Sequence, residues 1–218
     1  MIGGCRMSDR KAVFLPDCGE SFISLHTPNG TLYGGDQSCF DSKSYRDYGC
    51  GVIAAANMIM CMRSQYSAEN SDYMKLADSI CRVMPPDADG LRWISAFRKF
   101  TGRHTAYYPL RFISRNALLD IIVRSLSDGL PPMISVYNPH GFPIEHECGG
   151  SERIKAHYMT VTGVILGEKR TLVISSWGKK YYIDYDVFYN NNRFLLRRGI
   201  GCGIGSGIFV VKRKDNKK

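Results

Sequence analysis

The sequence predicts an α+β domain in which helices lead and strands follow. Three observations predict it. Residues 50–130 hold four apolar patterns with helical spacing or helix caps. Residues 131–213 hold runs rich in β-branched and aromatic side chains. No linker-like run divides the 218 residues, a length that one domain can fold around a single core.

The elements follow in order. Residues 11–48 are rich in Gly, Ser, Asp and Pro, with short apolar pieces "KAVFL" and "SFISL", and predict loops with one or two short strands. Residues 50–63 read as a helix that is apolar nearly all round, hence central and buried. In 71–83, Met74, Leu76, Ala77, Ile80 and Val83 recur near helical spacing, with Ser71 placed to cap the start. "MPPDADG" breaks that pattern, and the Asp89–Gly90 turn opens a further short helix over 91–100. "SRNALLDIIVRSLSDG" (114–129) predicts an amphipathic helix capped by Ser114 and stopped by Gly129. Strands are expected at 131–138, 157–166, 170–178, 180–188 and 207–213, with a long polar loop over Pro139–Lys155. The glycine-rich 199–209 reads as two tight strands joined by a turn, not as a phosphate loop, because no Gly-Lys-Ser/Thr follows. The chain contains no internal repeat.

Composition narrows the function classes. The formal net charge is +9, but the basic residues are scattered and the one dense run is the tail "KRKDNKK" (212–218). With no nucleic-acid-binding signature beside it, that tail reads as a solvated end, and no nucleic-acid partner is expected. No stretch reaches 18 apolar residues, so no membrane span is expected. "IGGC" at the N-terminus lacks the apolar run of a signal sequence. The eight cysteines form no C-x-x-C pair and suit reduced thiols better than a disulfide framework. The expected compartment is the cytoplasm if this is the full chain, or the exterior or cell surface if a signal has been removed. No cofactor and no metal are expected; His140, His146 and Cys148, with Glu145 or Glu147, match no standard ligand spacing.

The residues that could carry chemistry begin at "DYGCGVIAAANMIM" (47–60). Cys50 falls at the first turn of the buried helix, where unpaired N–H groups and the helix dipole favour a thiolate. Gly49 and Gly51 would let a substrate backbone approach the sulfur. The alternative is a small buried residue at a tight turn, since free cysteine is commonly buried. A thiolate nucleophile needs a base, usually histidine. His157 opens a predicted strand directly after the polar loop. One strand later "ISSWG" (174–178) offers polar residues to hold the second imidazole nitrogen and a tryptophan to shield that bond. Asn57, two turns along from Cys50 on the same helix face, is expected to be a buried polar residue and not a catalyst.

This order, Cys in "GCG" before an apolar helix, then "HY" opening a strand, then "SSWG", resembles the papain-like cysteine peptidase superfamily. The nearer similarity is to its bacterial branch resembling bacteriocin-leader (double-glycine) peptidases, where a block like "GLPPMISV" also recurs between the Cys and the His. The resemblance covers roughly residues 40–190. It implies a single papain-like domain over 1–218, with a core at about 40–213, an N-terminal extension at 1–39 and a basic tail at 214–218. A helical part bearing the Cys helix would pack on an antiparallel sheet, with the site between them. It implies Cys50 as nucleophile, His157 as general base and acid, and Ser175 at the orienting position where the family carries Asn or Asp. Ser176 and Asp184 are the alternatives for that role. The family also carries a Gln six positions before the Cys. Here that position is Ser44, and the upstream glutamine is Gln37, thirteen before. Gln37, Ser44, Gly49, Gly51, Ser176 and Trp177 are thus the candidate oxyanion and substrate residues. The implied activity is cleavage of a peptide or isopeptide bond in a peptide or protein substrate. An inactive binding module and a thiol acyltransferase on the same fold are the alternatives.

Overall fold

The computed structural model describes residues 11–193 and 205–212. In chain order these form β1 (Lys11–Phe14), β2 (Ser24–Thr27), β3 (Gly30–Tyr33), α1 (Lys43–Tyr48), α2 (Cys50–Met62) and β4 (Ser67–Glu69). Then come α3 (Asn70–Cys81), α4 (Gly90–Thr101), β5 (Thr105–Pro109), α5 (Arg115–Ser127), β6 (Met133–His146) and β7 (Ser151–Leu166). The chain continues as β8 (Thr171–Ser176), β9 (Lys179–Asp184), α6 (Tyr185–Asn192) and β10 (Gly207–Val211). The class is α+β: helices against a large antiparallel sheet.

That sheet has seven strands in the order β1-β7-β8-β9-β6-β10-β5, and β6 also pairs directly with β7. The pairings β6–β7, β7–β8, β8–β9 and β9–β6 therefore close a ring. β1 joins its rim beside β7. A smaller sheet, β3-β2-β4, forms from the hairpin between β1 and α1 and from β4, which returns after α2 to pair with β2. One apolar cluster runs through helices and sheet, with Trp93 of α4 stacked on Phe97 and tilted against Phe209 of β10.

Local chemistry explains where the elements begin and end. α2 is buried from Gly51 to Cys61, as an apolar helix with no solvent face must be. Asp89 starts α4 by accepting from the N–H groups of Leu91 and Arg92. Ser114 starts α5 by accepting from Ala117 N–H, and Gly129 follows its end with a left-handed φ of 74°. α3 departs from expectation: it begins at Asn70, which puts Ser71 inside the first turn.

Two larger departures lie in the second half. The segment 139–155 is not a loop. β6 and β7 continue through it as a hairpin, with a register shift between Tyr137 and Phe142 and a turn at 147–150. Its prolines and glycines read as loop signals, but Phe142, Ile144 and Ile154 are buried and hold it to the core. The strand expected through 180–188 stops at Asp184, whose carboxylate accepts from Val187 N–H and opens α6. Tyr185, Phe188 and Tyr189 then bury at helical spacing. Of the glycine-rich 199–209, residues 199–204 lie outside the described residues, as do 1–10 and the basic tail from 213; Gly207–Val211 is β10. Among the described residues no helix is long and apolar enough to cross a membrane.

Candidate active site

α2 lies against β7, and a small pocket opens between them. The helix presents Cys50, Ile53, Ala54 and Asn57 to it, one face at i, i+3, i+4 and i+7. β7 presents His157 to Thr160, β8 brings Ser175 and Ser176, and the turn after β8 brings Trp177. Gln37 lines the same pocket. Every lining residue is uncharged.

Cys50 sits at the first position of α2. The N–H groups of Val52 and Ile53 are satisfied by Gly49 O, at 3.0 and 3.1 Å. Those of Cys50 and Gly51 are oriented to the sulfur, as is the backbone N–H of Tyr158 across on β7. The sulfur thus lies against the residue that follows His157. These N–H groups favour the thiolate, but burial is the larger influence and pushes the thiol above the ordinary cysteine value.

His157 is 9% exposed. Its Nε2 shares a 2.7 Å hydrogen bond with Ser176 Oγ. Trp177 stacks on the imidazole, with ring centres 4.2 Å apart and planes within 17°. Burial lowers the imidazole from 6.5 to about 3, because no carboxylate is present to offset the cost of charging it. At neutral pH the pocket therefore holds a protonated thiol and a neutral imidazole.

The turn that carries Trp177 is strained. β8 and β9 are joined by Trp177 and Gly178 alone, with φ of 47° and 68°. Two left-handed residues match a tight hairpin to the twist of its strands, and glycine or asparagine normally fills the first position. A tryptophan there costs on the order of 1 kcal/mol in backbone strain and places an aromatic face on His157.

The other candidates divide. Ser175 does not meet the imidazole: its hydroxyl donates to Tyr33 O at 2.7 Å and lies 3.5 Å from Asn57 Nδ2. Successive strand residues point to opposite sides, so Ser175 and Ser176 cannot share a partner. Ser176 holds His157. Asp184 caps α6 and pairs with Lys169 at 3.5 Å, away from the pocket. Gln37, buried in a short 3-10 turn, donates from Nε2 to Arg46 O at 2.7 Å; its amide has a second hydrogen. Ser44 is exposed on α1 and does not line the pocket. Gly49 and Gly51 are buried. A Cβ on Gly49 would collide with Tyr45 O, and one on Gly51 would lie 3.1 Å from Trp93 Cδ1 and 3.3 Å from Tyr158 Cδ2. Close protein packing, not open space for a substrate, occupies both positions.

Among the polar lining residues, Tyr158 and Thr160 were not candidates from the sequence; only their nearness to His157 in the strand pointed to them. Tyr158 Oη donates to Ala88 O at 3.2 Å, linking β7 to the segment before α4. Among the described residues no group of three or more His, Cys, Asp and Glu is placed to hold a metal. His146 Nδ1 instead accepts from Cys148 N–H, and Glu147 pairs with Lys180. Cys18, Cys39, Cys50, Cys61, Cys81 and Cys148 are free thiols. A scan of protein-family models and a search of curated proteins found no match to this chain.

Proposed function

We propose that this chain is a papain-like cysteine peptidase or related amide hydrolase, with Cys50 as nucleophile and His157 as base and acid. One observation carries the reading: a single uncharged pocket gathers Gln37, Cys50, His157 and Ser176 from four separate parts of the chain. In the tautomer that donates from Nε2 to Ser176 Oγ, Nδ1 is the basic nitrogen. Cys50 Sγ attacks the amide carbonyl carbon while its proton passes to Nδ1. The oxyanion accepts from Cys50 N–H and from the second hydrogen of Gln37 Nε2. The imidazolium then protonates the departing amine, leaving a thioester. Water, deprotonated by the same nitrogen, releases the acid; an amine in its place would make the protein an acyltransferase.

Resting neutrality of both partners, with serine as an uncharged orienter, favours a second reading: an inactive domain of this kind that binds peptides. Incubating wild type, Cys50→Ala and His157→Ala with a peptide library, read by mass spectrometry, separates the two. Cleavage by wild type that both variants lose supports the hydrolase. Peptide retention without cleavage, equal in wild type and Cys50→Ala, supports the binding module and ends the hydrolase reading.

A further inference from the structure

The buried polar side chain of Asn57 has no part in the reaction above, yet it is the one amide on an otherwise apolar face of α2. It is 1% exposed and fully engaged. Its Oδ1 accepts from Gly35 N–H at 3.2 Å and from Tyr73 Oη at 2.9 Å. Its Nδ2 donates to Thr160 Oγ1 at 3.2 Å and reaches Ser175 Oγ at 3.5 Å. Ser175 in turn holds Tyr33 O. The amide thus joins α2, β7, β8 and the segment after β3.

That segment, Tyr33–Asp36, leads directly into Gln37. It is also bolted to the turn after β8: Tyr33 N–H donates to Gly178 O at 2.7 Å, and Gly178 N–H to Gly35 O at 3.0 Å. A Cβ on Gly34 would collide with Ser175 Oγ and one on Gly35 with Tyr73 Oη, so the backbone runs in direct contact with the network. One end of the bolted segment sets Gln37, and the other side of the bolt sets Trp177 over His157.

We propose that Asn57 is the positioning residue of this site, clamping residues 33–36 and the 175–178 turn so that Gln37 and Trp177 are held together around Cys50 and His157. The inference rests on the hydrolase reading for its catalytic consequence. Its structural half does not. A misplaced oxyanion donor or imidazole costs turnover far more than ground-state affinity, up to about 100-fold for a displacement near 1 Å. Asn57→Leu keeps the volume and removes every hydrogen bond that the Asn57 amide makes; Thr160→Val is isosteric and removes one.

The test is amide hydrogen exchange at Gly35 and Gly178, together with kcat and KM on a peptide cleaved by wild type. Asn57→Leu should raise exchange at both glycines and lower kcat by roughly tenfold to 100-fold with KM within about twofold. Thr160→Val should shift both readouts the same way by less, and serves alone if Asn57→Leu does not fold. Unchanged exchange at Gly35 and Gly178 overturns the clamp. Raised exchange with unchanged kcat overturns the positioning role. A wild type that cleaves nothing removes the hydrolase reading, while the exchange result still passes or fails the clamp.

Discussion

In the proposed hydrolase the orienting role turns on one residue step along β8. The resemblance placed it at Ser175, and the pleat hands it to Ser176, because neighbours in a strand face opposite ways. Ser176→Ala should lower kcat by about fivefold, as expected for loss of one hydrogen bond worth about 1 kcal/mol. Ser175→Ala should lower it less, since that hydroxyl reaches His157 only through the backbone at Tyr33–Asp36. Equal losses, read on one peptide substrate, would contradict the assignment. Which serine turns inward depends on strand register, and register is set by β7 and β9 on either side. "SSWG" alone does not contain it. Cys50 and His157, which line one pocket, could be singled out because their surroundings are local: a turn before an apolar helix, and the start of a strand pattern.

At the scale of elements, the helices were legible where a cap marked their ends. Asp89, Ser114 and Gly129 all act as the chain order indicated. The sequence was silent where a tertiary partner decides. The long hairpin of β6 and β7 forms across prolines and glycines because buried apolar residues fasten each arm. Asp184 shows the converse, a local cap that overrides a run of strand-forming residues. Asp184→Ala should therefore destabilise the fold by about 1 kcal/mol in urea titration, the usual cost of a lost N-cap. The same variant should leave kcat unchanged, since α6 does not line the pocket. A fall in kcat would return Asp184 to the site. Gln37 was the hardest to place. The bolting of Tyr33–Asp36 to the turn after β8 and the bond to Arg46 O bring it into the pocket with Cys50, and nothing in its local sequence encodes that placement.

At the scale of the whole molecule, the buried imidazole links stability to acidity. Above pH 6.5 His157 is neutral whether the chain is folded or unfolded, and the contribution is fully present. Below that value the unfolded chain takes up a proton that the folded chain refuses down to about 3. Folding stability then falls by at most about 1.4 kcal/mol per pH unit across that window. Wild type should lose up to about 3 kcal/mol between pH 7.5 and pH 4.5 from this group, and His157→Gln should lose correspondingly less. Parallel urea titrations of the two proteins at both pH values measure the difference. Identical losses would show that His157 is accessible to protons in the folded state.

The pocket's four walls come from positions 37, 50, 157 and 176, and that scatter has a consequence for how the protein is made. A ribosome delivers the thiol early and its base late. Until β7 and β8 have left the exit tunnel, a nascent chain carries Cys50 with no histidine opposite it and no shelf for Gln37. The proposed chemistry is thereby withheld until residues 157 and 176 have been made, and it arrives together with the ring of strands β6 to β9.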